Sequence, residues 1–222
     1  MVVTALKLPG RQPSKQKSAA ILASAMQEFL AHGYAATSMD RIAKAAGVSK
    51  ATIYSHFQHK QSLFKALTGE MVEQRFTNVF GTDDLNANDF SAELMVEQPS
   101  NQRLALQLLA NRILIAHEDQ PEFLSFLRLV IGESGRFPAL AQDFVAQVQQ
   151  TIFQHVCQIF RQLKPAIGRD PELMARIFIG SLMHVILCQD ILHGRDAHSI
   201  DRQQFAVDLV DLLCGEAPAE IP

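Results

Sequence analysis

The apolar residues of this 222-residue chain recur every three to four positions over most of its length, which is the period of one face of an α-helix. Long helices are predicted at residues 17–32, 60–80, 100–116, 121–133, 138–163, 171–193 and 199–214, with a short one over 91–98. No segment alternates apolar and polar residues as a half-exposed strand does. The pattern therefore predicts an all-α protein.

Residues 37–60 predict two short helices joined by a tight turn. The first helix has one apolar stripe, formed by Met39, Ile42, Ala43 and Ala46. Thr37 or Ser38 can cap its N-terminus, and Gly47 can end it in a left-handed conformation. Ser49 can then cap the second helix, so the segment predicts a helix, a turn containing glycine and another helix.

The second short helix exposes residues suited to DNA. Ile53 and Phe57 point inward, and the outward arc consists of Lys50, Ala51, Thr52, Tyr54 and Ser55. Small side chains let a helix enter a major groove, Lys50 can contact a guanine edge, and hydroxyls can bond to bases or phosphates. This is the pattern of a helix-turn-helix, although an ordinary helical hairpin with a polar outer face has the same local features.

The longer segment from Gly33 to Leu63 supports the helix-turn-helix interpretation. Its motifs are Gly33-Tyr34, Thr37-Ser38, Ile42-Ala43, Ala46-Gly47-Val48-Ser49, Thr52-Ile53-Tyr54, His56-Phe57, Lys60 and Leu63. Over about residues 15–67 the chain resembles the DNA-binding domain of the TetR/AcrR family of transcriptional regulators. The resemblance implies a three-helix helix-turn-helix domain whose expected DNA contacts are Thr37, Ser38, Lys50, Ala51, Thr52, Tyr54, Ser55, His56 and Lys60.

Two features of the following helix bear on these expectations. Lys60 lies in its first turn, beside unpaired N–H groups and the positive end of the helix dipole, where a phosphate binds favourably. The family often has Ser, Asn or Asp where His59 stands and Glu where Gln61 stands, so we expect a weakened cap. The resemblance implies that this helix links the DNA-binding domain to the rest, and Gly69 within it is either a flexible point or a tolerated glycine.

The charge is divided along the chain. Residues 1–65 contain nine Lys and Arg against two acidic residues, whereas the remainder contains eleven basic and 21 acidic residues. A basic first part is the electrostatic footprint of a nucleic-acid binder. We expect a flexible basic arm at 1–16, the helix-turn-helix domain at 17–67, a helical domain at 81–214 and a frayed tail at 215–222. The arm either lies along the minor groove or has no role.

The second domain is expected to bind a small molecule. The apolar helix 121–133 should be central and buried, and helix 138–163 has one stripe formed by Phe144, Val148, Ile152, Val156, Ile159 and Leu163. The segment 127–138 is similar to one subgroup of TetR-type C-terminal domains. The resemblance implies an effector pocket, for which the candidates are Phe123, Phe126, Arg128, Phe153, Met183 and His184. The alternative is that these are ordinary core residues.

The last two helices, 171–193 and 199–214, are the dimer elements that the resemblance implies. Gly180 and Ser181 allow another helix to approach closely, and Phe205, Leu209 and Leu212 form a stripe on the last helix. A two-fold dimer would place two recognition helices on the half-sites of a palindromic operator, about 34–36 Å apart or at a multiple of that distance.

Other classes of protein are not supported. Cys157, Cys188 and Cys214 are widely spaced and indicate reduced thiols in a cytosol. The N-terminus lacks an apolar signal segment, and the longest apolar run is too short for a bilayer, so a cytoplasmic protein without a membrane span is expected. His184 and Cys188 share a helical face with no acidic ligand near them, and no catalytic motif is present. We therefore expect no metal site, no cofactor and no catalytic residue.

Two functions remain after these exclusions. The first is a ligand-responsive repressor that leaves its operator when a small apolar or aromatic effector binds. The second is an architectural or interaction protein of the same fold that binds DNA without a small-molecule effector and recruits a protein partner. Thermal stabilisation by small apolar and aromatic compounds would distinguish them, because a ligand that binds only the folded state must stabilise it.

Overall fold

The computed structural model describes residues 15–81, 99–116, 118, 120–163 and 170–215, with the backbone alone at 99–101. Within them the α-helices are α1 Lys15–Ala36, α2 Met39–Ala45, α3 Lys50–His56, α4 Lys60–Phe80, α5 Pro99–Ile115, α6 Pro121–Glu133, α7 Pro138–Val148, α8 Gln154–Gln162, α9 Pro171–Ile186 and α10 Arg202–Cys214. The described residues contain no strand, and the predicted all-α fold is confirmed. The predicted arm up to residue 14, the predicted helix at 91–98 and the predicted tail after 215 lie outside the described residues.

The chain divides into two compact units, an N-terminal unit ending at Leu67 and a C-terminal unit beginning at Thr68. In the N-terminal unit, an aromatic cluster holds α1 to the start of α4. The rings of Phe29, Tyr34 and Phe64 lie 5.3–5.5 Å apart, centroid to centroid, in stacked and edge-to-face arrangements. Leu30 lies on the outer side of α1 and is 37% exposed.

Helix α1 is broken near its end. Gly33 has φ 75° and ψ 165°, a conformation outside the helical region that a residue without Cβ adopts easily. The chain then turns, and Tyr34 packs back beneath α1 with 7% of its surface exposed. The predicted end of this helix at residue 32 is confirmed, and the break at Gly33 brings the chain towards α2.

In the C-terminal unit α5 packs against α10, α8 against α9, and α6 against α7. The inner face of α6 consists of Phe123, Leu124, Phe126, Leu127 and Val130. The expectation that this helix is buried all round is wrong, because Ile131 on its other side is 50% exposed. Helix α6 is therefore amphipathic, with one face in the core.

The predicted helix 138–163 contains a π-helical turn at Gln149–Phe153 between α7 and α8. A π turn inserts one extra residue, which rotates the following face by about 100° relative to an unbroken helix. The buried residues on the C-terminal side are consequently Phe153, Val156, Cys157, Ile159 and Phe160. The predicted continuous stripe is wrong, since Phe144, Val148 and Ile152 are only partly buried.

Helix α9 also ends in a π-helical turn, Leu187–Ile191. Together they form the one helix in the described part of the chain that is long and apolar enough to cross a membrane, judged by length and composition only. A helix that packs in the core of a globular unit meets the same criterion. Here one side of α9, including Phe178 and Leu182, is fully buried against its neighbours.

Candidate nucleic-acid interface

Local hydrogen bonds fix both ends of α2. Ser38 caps α2, its hydroxyl accepting a hydrogen bond from the Arg41 N–H at 3.2 Å. At the other end Gly47 has φ 65°, and the N–H groups of Gly47 and Val48 donate to the carbonyls of Lys44 (3.2 Å) and Ala43 (3.0 Å). This pair of bonds is a Schellman motif, and it confirms the predicted helix stop.

Helix α3 begins at once after this turn. The Ser49 hydroxyl accepts from the Thr52 N–H at 3.1 Å, so the predicted cap is confirmed. Ile53 is fully buried, which fixes the rotation of the helix and turns its opposite side outward. The outward residues are Lys50, Ala51, Tyr54 and Ser55, and Thr52 and His56 are half-buried at its edges. Tyr54, 48% exposed, stands out from the middle of this face.

The exposed cation of α3 is positioned by an acidic residue of α2. The ammonium of Lys50 donates to Asp40 Oδ2, and this hydrogen bond and charge raise the pKa of Lys50. Glu28 is likewise occupied, because its carboxylate accepts from Arg41 Nε. The two acidic residues of the N-terminal unit thus each pair with a cation, which limits their repulsion of phosphates.

Thr37 was expected to contact DNA, but it lies in the core. Only 2% of the residue is exposed, and its hydroxyl is within hydrogen-bonding distance of the carbonyls of Glu28 (3.0 Å) and Gly33 (2.8 Å). Its role is to hold the end of α1 against the start of α2. Ser38, the next residue, is exposed and remains a predicted contact.

Lys60 was expected to bind a phosphate, and the structure corrects this too. Its ammonium donates to the carbonyls of Tyr34 (2.6 Å), Ala35 (3.2 Å) and Thr37 (2.7 Å), and it lies 4.4 Å from the centroid of the Tyr34 ring. An ammonium group has three protons, so all its donors are used. Lys60 therefore binds three carbonyls of the segment that leads from the end of α1 into α2.

The expected weak cap of α4 is also wrong. Nδ1 of His59 accepts from the Ser62 N–H at 3.0 Å, and Ser62 Oγ accepts from the His59 N–H at 3.2 Å. This reciprocal pair has the arrangement of a capping box, with an imidazole as one acceptor. His59 therefore does what a shorter polar residue does in the family.

A helix of small and polar residues, turned outward by a glycine-containing turn within a basic unit, defines a helix-turn-helix DNA-binding protein. A family model for bacterial regulatory proteins of the tetR family matches residues 21–67, and one for the AefR-like transcriptional repressor C-terminal domain matches residues 105–214. The chain belongs to the TetR family and is a DNA-binding transcriptional regulator.

One curated relative matches most of this chain, and another matches about a third of it. The transcriptional repressor ComR of Escherichia coli K12 is 35% identical over 187 residues, which cover 82% of this chain and 81% of ComR. The transcriptional activator FasR of Mycolicibacterium smegmatis is 36% identical over 69 residues, 31% of this chain and 32% of FasR. The chain thus matches about a third of that activator's length.

Solved structures resemble the whole fold. A TetR-family regulator from Mesorhizobium loti MAFF303099 has a TM-score of 0.70 at 25% identity, and the match covers 91% of this chain and 97% of that one. The flavonoid-responsive regulator FrrA has a TM-score of 0.65 at 27% identity, with 89% and 94% covered.

The candidate effector residues are dispersed. Phe123, Phe126 and Phe153 are buried, and Met183 is half-buried. Arg128 is engaged elsewhere: its guanidinium donates to the carbonyls of Asp190 (2.6 Å) and Ile191 (3.1 Å) and so caps the end of the π-helical turn after α9. His184 is exposed, and its ring nitrogens lie 3.8 and 3.9 Å from Cys188 Sγ.

Some of the candidate dimer residues are exposed and others are buried. Gly180 is exposed on α9, Ser181 beside it is half-buried, and Leu212 on α10 is 69% exposed. Phe205 is half-buried, whereas Leu209 is only 7% exposed and belongs to the core of the C-terminal unit. Leu209 therefore offers little surface to a partner chain, because α10 turns that side towards α5.

The sequence analysis did not identify two sets of residues that the structure makes notable. One is an exposed apolar stripe along α9, formed by Leu173, Ile177 and, in the π-helical turn, Leu187. The other is Arg75, a charged residue on the buried face of α4 between Val72 and Val79. A charge three residues after one buried valine and four before the next was a visible signal, because Arg75 is the one charged residue on a buried face formed otherwise by apolar residues and Thr68.

Proposed function

We propose that this protein is a homodimeric cytoplasmic repressor that binds an inverted-repeat operator and is released by a small apolar or aromatic effector. The observation that carries the proposal is the outward face of α3, where Lys50, Ala51, Tyr54 and Ser55 are exposed on a helix held by caps at both ends of the turn. Such a face suits the major groove, with Lys50 as the candidate for a guanine edge.

A dimer is supported by the outer side of α9. Leu173, Ile177, Gly180, His184 and Leu187 follow one another at intervals of four, three, four and three residues, so they form one stripe. Leu173, Ile177 and Leu187 are 49%, 37% and 39% exposed in the single chain. At Gly180 an added Cβ would meet nothing within 4 Å, which leaves room for a second helix. A stripe of this kind on an isolated protomer is what an isologous two-fold interface would cover.

The test of the dimer is a double substitution, Leu173→Glu with Ile177→Glu, and Leu104→Glu on α5 is the control because Leu104 is 55% exposed. The double variant should sediment as a monomer of 24.6 kDa, and the control should sediment at twice that mass. Loss of the second half-site should weaken operator binding by about 10²–10⁴-fold. A double variant that remains dimeric would overturn this assignment.

An effector is supported by two observations. The interior of the C-terminal unit contains buried aromatic residues, Phe123, Phe126 and Phe153. The structurally similar regulator FrrA is named as flavonoid-responsive, so a protein of this fold responds to an aromatic compound.

ComR, which is similar over most of this chain, is named as a repressor, and this favours repression over activation here.

Thermal melting with small apolar and aromatic compounds tests the effector. At a hundred times its Kd a ligand stabilises the folded state by about 2.7 kcal/mol, which corresponds to roughly 5–10 °C for a unit of this size. Compounds that stabilise should also release operator DNA in fluorescence anisotropy. Absence of stabilisation across a broad panel would instead favour an architectural protein without an effector.

A further inference from the structure

Among the residues that the structure describes, one buried charge of the C-terminal unit has no counter-charge. Arg75 projects from the apolar face of α4 among Met71, Val72 and Val79, and it is 5% exposed. Burial lowers its pKa to about 10, which still leaves the guanidinium protonated about a thousand to one at neutral pH. An ionised side chain so far from water is unfavourable unless something pairs with it.

The protein supplies only part of what this guanidinium requires. Nη2 donates to the Ile113 carbonyl of α5 at 2.7 Å, and the guanidinium carbon lies 5.1 Å from the centroid of the Phe123 ring of α6. Nη1 is buried and has no hydrogen-bond partner among the described residues. Within the part of the chain that the structure describes, no carboxylate oxygen lies within 4.0 Å of it. Its lowered pKa has burial as the sole cause, which agrees with the absence of a neighbouring anion.

The surroundings are otherwise suited to an apolar molecule. Phe123 lies beside the guanidinium, and Leu109, Leu114 and Phe126 are buried residues of the same two helices, α5 and α6. Gln120, which immediately precedes α6, likewise has a buried side-chain oxygen without a partner. A charged donor at the edge of an apolar interior matches a molecule with an anionic head and an apolar body.

We propose that the effector is a carboxylic acid with an apolar body, and that its carboxylate pairs with the Arg75 guanidinium between α4, α5 and α6. The inference rests on the proposed function and specifies the chemical class of the effector. A carboxylate is small, singly charged and able to accept from Nη1 while Nη2 keeps its bond to Ile113. Binding would remove the cost of the unpaired charge, so the acid is selected over a neutral molecule of the same shape.

The position of Arg75 also connects binding to DNA affinity. Arg75 lies on α4, a continuous helix that begins at Lys60 in the N-terminal unit. An acid held between Arg75 and α6 acts directly on this helix. A neutral compound bound nearby lacks that attachment, so it should release operator less effectively.

The experiment compares matched probes by calorimetry and thermal melting: decanoic acid with decanol, and 4-phenylbutanoic acid with 4-phenylbutanol. The full-length wild type should bind each acid at least about tenfold more tightly than its alcohol, as a desolvated charge pair would give. Arg75→Met should lose that preference. Arg176→Met is the control, because Arg176 also lies over a buried ring, 4.7 Å from Phe153, but is exposed and pairs with Glu172.

Melting of the unliganded variants gives an independent result. Arg75→Met should be at least as stable as the wild type, because it replaces an unpaired charge with an apolar side chain of similar length. A strongly destabilised Arg75→Met would overturn the proposal by showing that the guanidinium is a structural partner. In that case Arg75→Lys would show whether the charge alone restores stability.

The remaining outcomes separate this proposal from the wider one. If the alcohols bind as tightly as the acids, or if Arg75→Met keeps the preference for acids, the carboxylate assignment is wrong and an effector response still stands. If decyl phosphate binds better than decanoic acid, the site takes a phosphate and not a carboxylate. If none of the probes binds, the carboxylic-acid assignment is wrong, and the broad panel of apolar and aromatic compounds decides separately whether the protein responds to an effector.

Discussion

Replacing Lys60 with methionine should destabilise the N-terminal unit without changing its DNA contacts. The side chain keeps its length and loses the ammonium that donates to the carbonyls of Tyr34, Ala35 and Thr37. Two of these carbonyls are partly buried, so water replaces the lost donor incompletely. The attraction of the ammonium to the Tyr34 ring, 4.4 Å away, is lost as well.

The magnitude follows from these contacts. A hydrogen bond to a charged group contributes about 1.5–3 kcal/mol, but three bonds share this ammonium and Lys60 is half-buried. We therefore expect a loss of about 2–3 kcal/mol for the whole set. For a unit of this size that corresponds to a fall of roughly 10–20 °C in melting temperature.

Tyrosine fluorescence measures this unit selectively. The chain has two tyrosines and no tryptophan, and both tyrosines, Tyr34 and Tyr54, lie in the N-terminal unit. The matched control is Lys50→Met, which removes an ammonium that is exposed and pairs with Asp40 at the surface. It should leave the fluorescence midpoint unchanged and relax the preference for one base pair by about tenfold.

Salt dependence of DNA binding completes the test. Each phosphate contact adds about one to the slope of log K against log salt, and this slope does not depend on the fraction of active protein. Lys60→Met should keep the wild-type slope at a temperature where it is folded. A slope lower by about one, with an unchanged melting midpoint, would refute the structural role of Lys60 and restore the phosphate contact.

Two further predictions concern the C-terminal unit. Gly69→Ala should stabilise it by about 0.5–1 kcal/mol, because alanine favours a helix more than glycine does. The added Cβ would meet only the end of the Gln147 side chain, 2.8 Å away, which can move. A loss of stability would show that Gln147 cannot move aside. Asp190→Asn should cost about 3 kcal/mol in urea unfolding, because the buried carboxylate accepts from Arg195 (2.6 Å) and Arg202 (2.5 Å). The exposed Asp196→Asn is its control, and equal effects of the two would contradict this account.

Features that depend on neighbouring residues were predictable from the sequence. The caps at Ser38 and Ser49 and the left-handed Gly47 are set within a few residues, so their pattern is readable in one segment. The rotation of α3 follows from Ile53, which is buried as its spacing indicates. The fold class and the family followed from such local patterns taken together.

Features that depend on residues far apart in the sequence could not be predicted. Lys60 binds carbonyls 23–26 positions away, and no local pattern distinguishes that use from a phosphate contact. The π turn at Gln149–Phe153 changed which side of α8 is buried, and periodicity assumes an unbroken helix. Leu209 and Leu212 occupy neighbouring turns of α10, yet only the packing of α10 against α5 decides which of them is exposed.

Selection of bound duplexes from a random DNA pool at moderate salt tests the central claim most directly. A dimer that presents two α3 helices should enrich an inverted repeat whose half-sites are centred about 34–36 Å apart or at a multiple of that distance. The Leu173→Glu, Ile177→Glu variant in the same pool should lose the repeat and keep at most a single half-site. Tight binding without an enriched sequence, or no binding at all, would contradict a sequence-specific dimeric regulator.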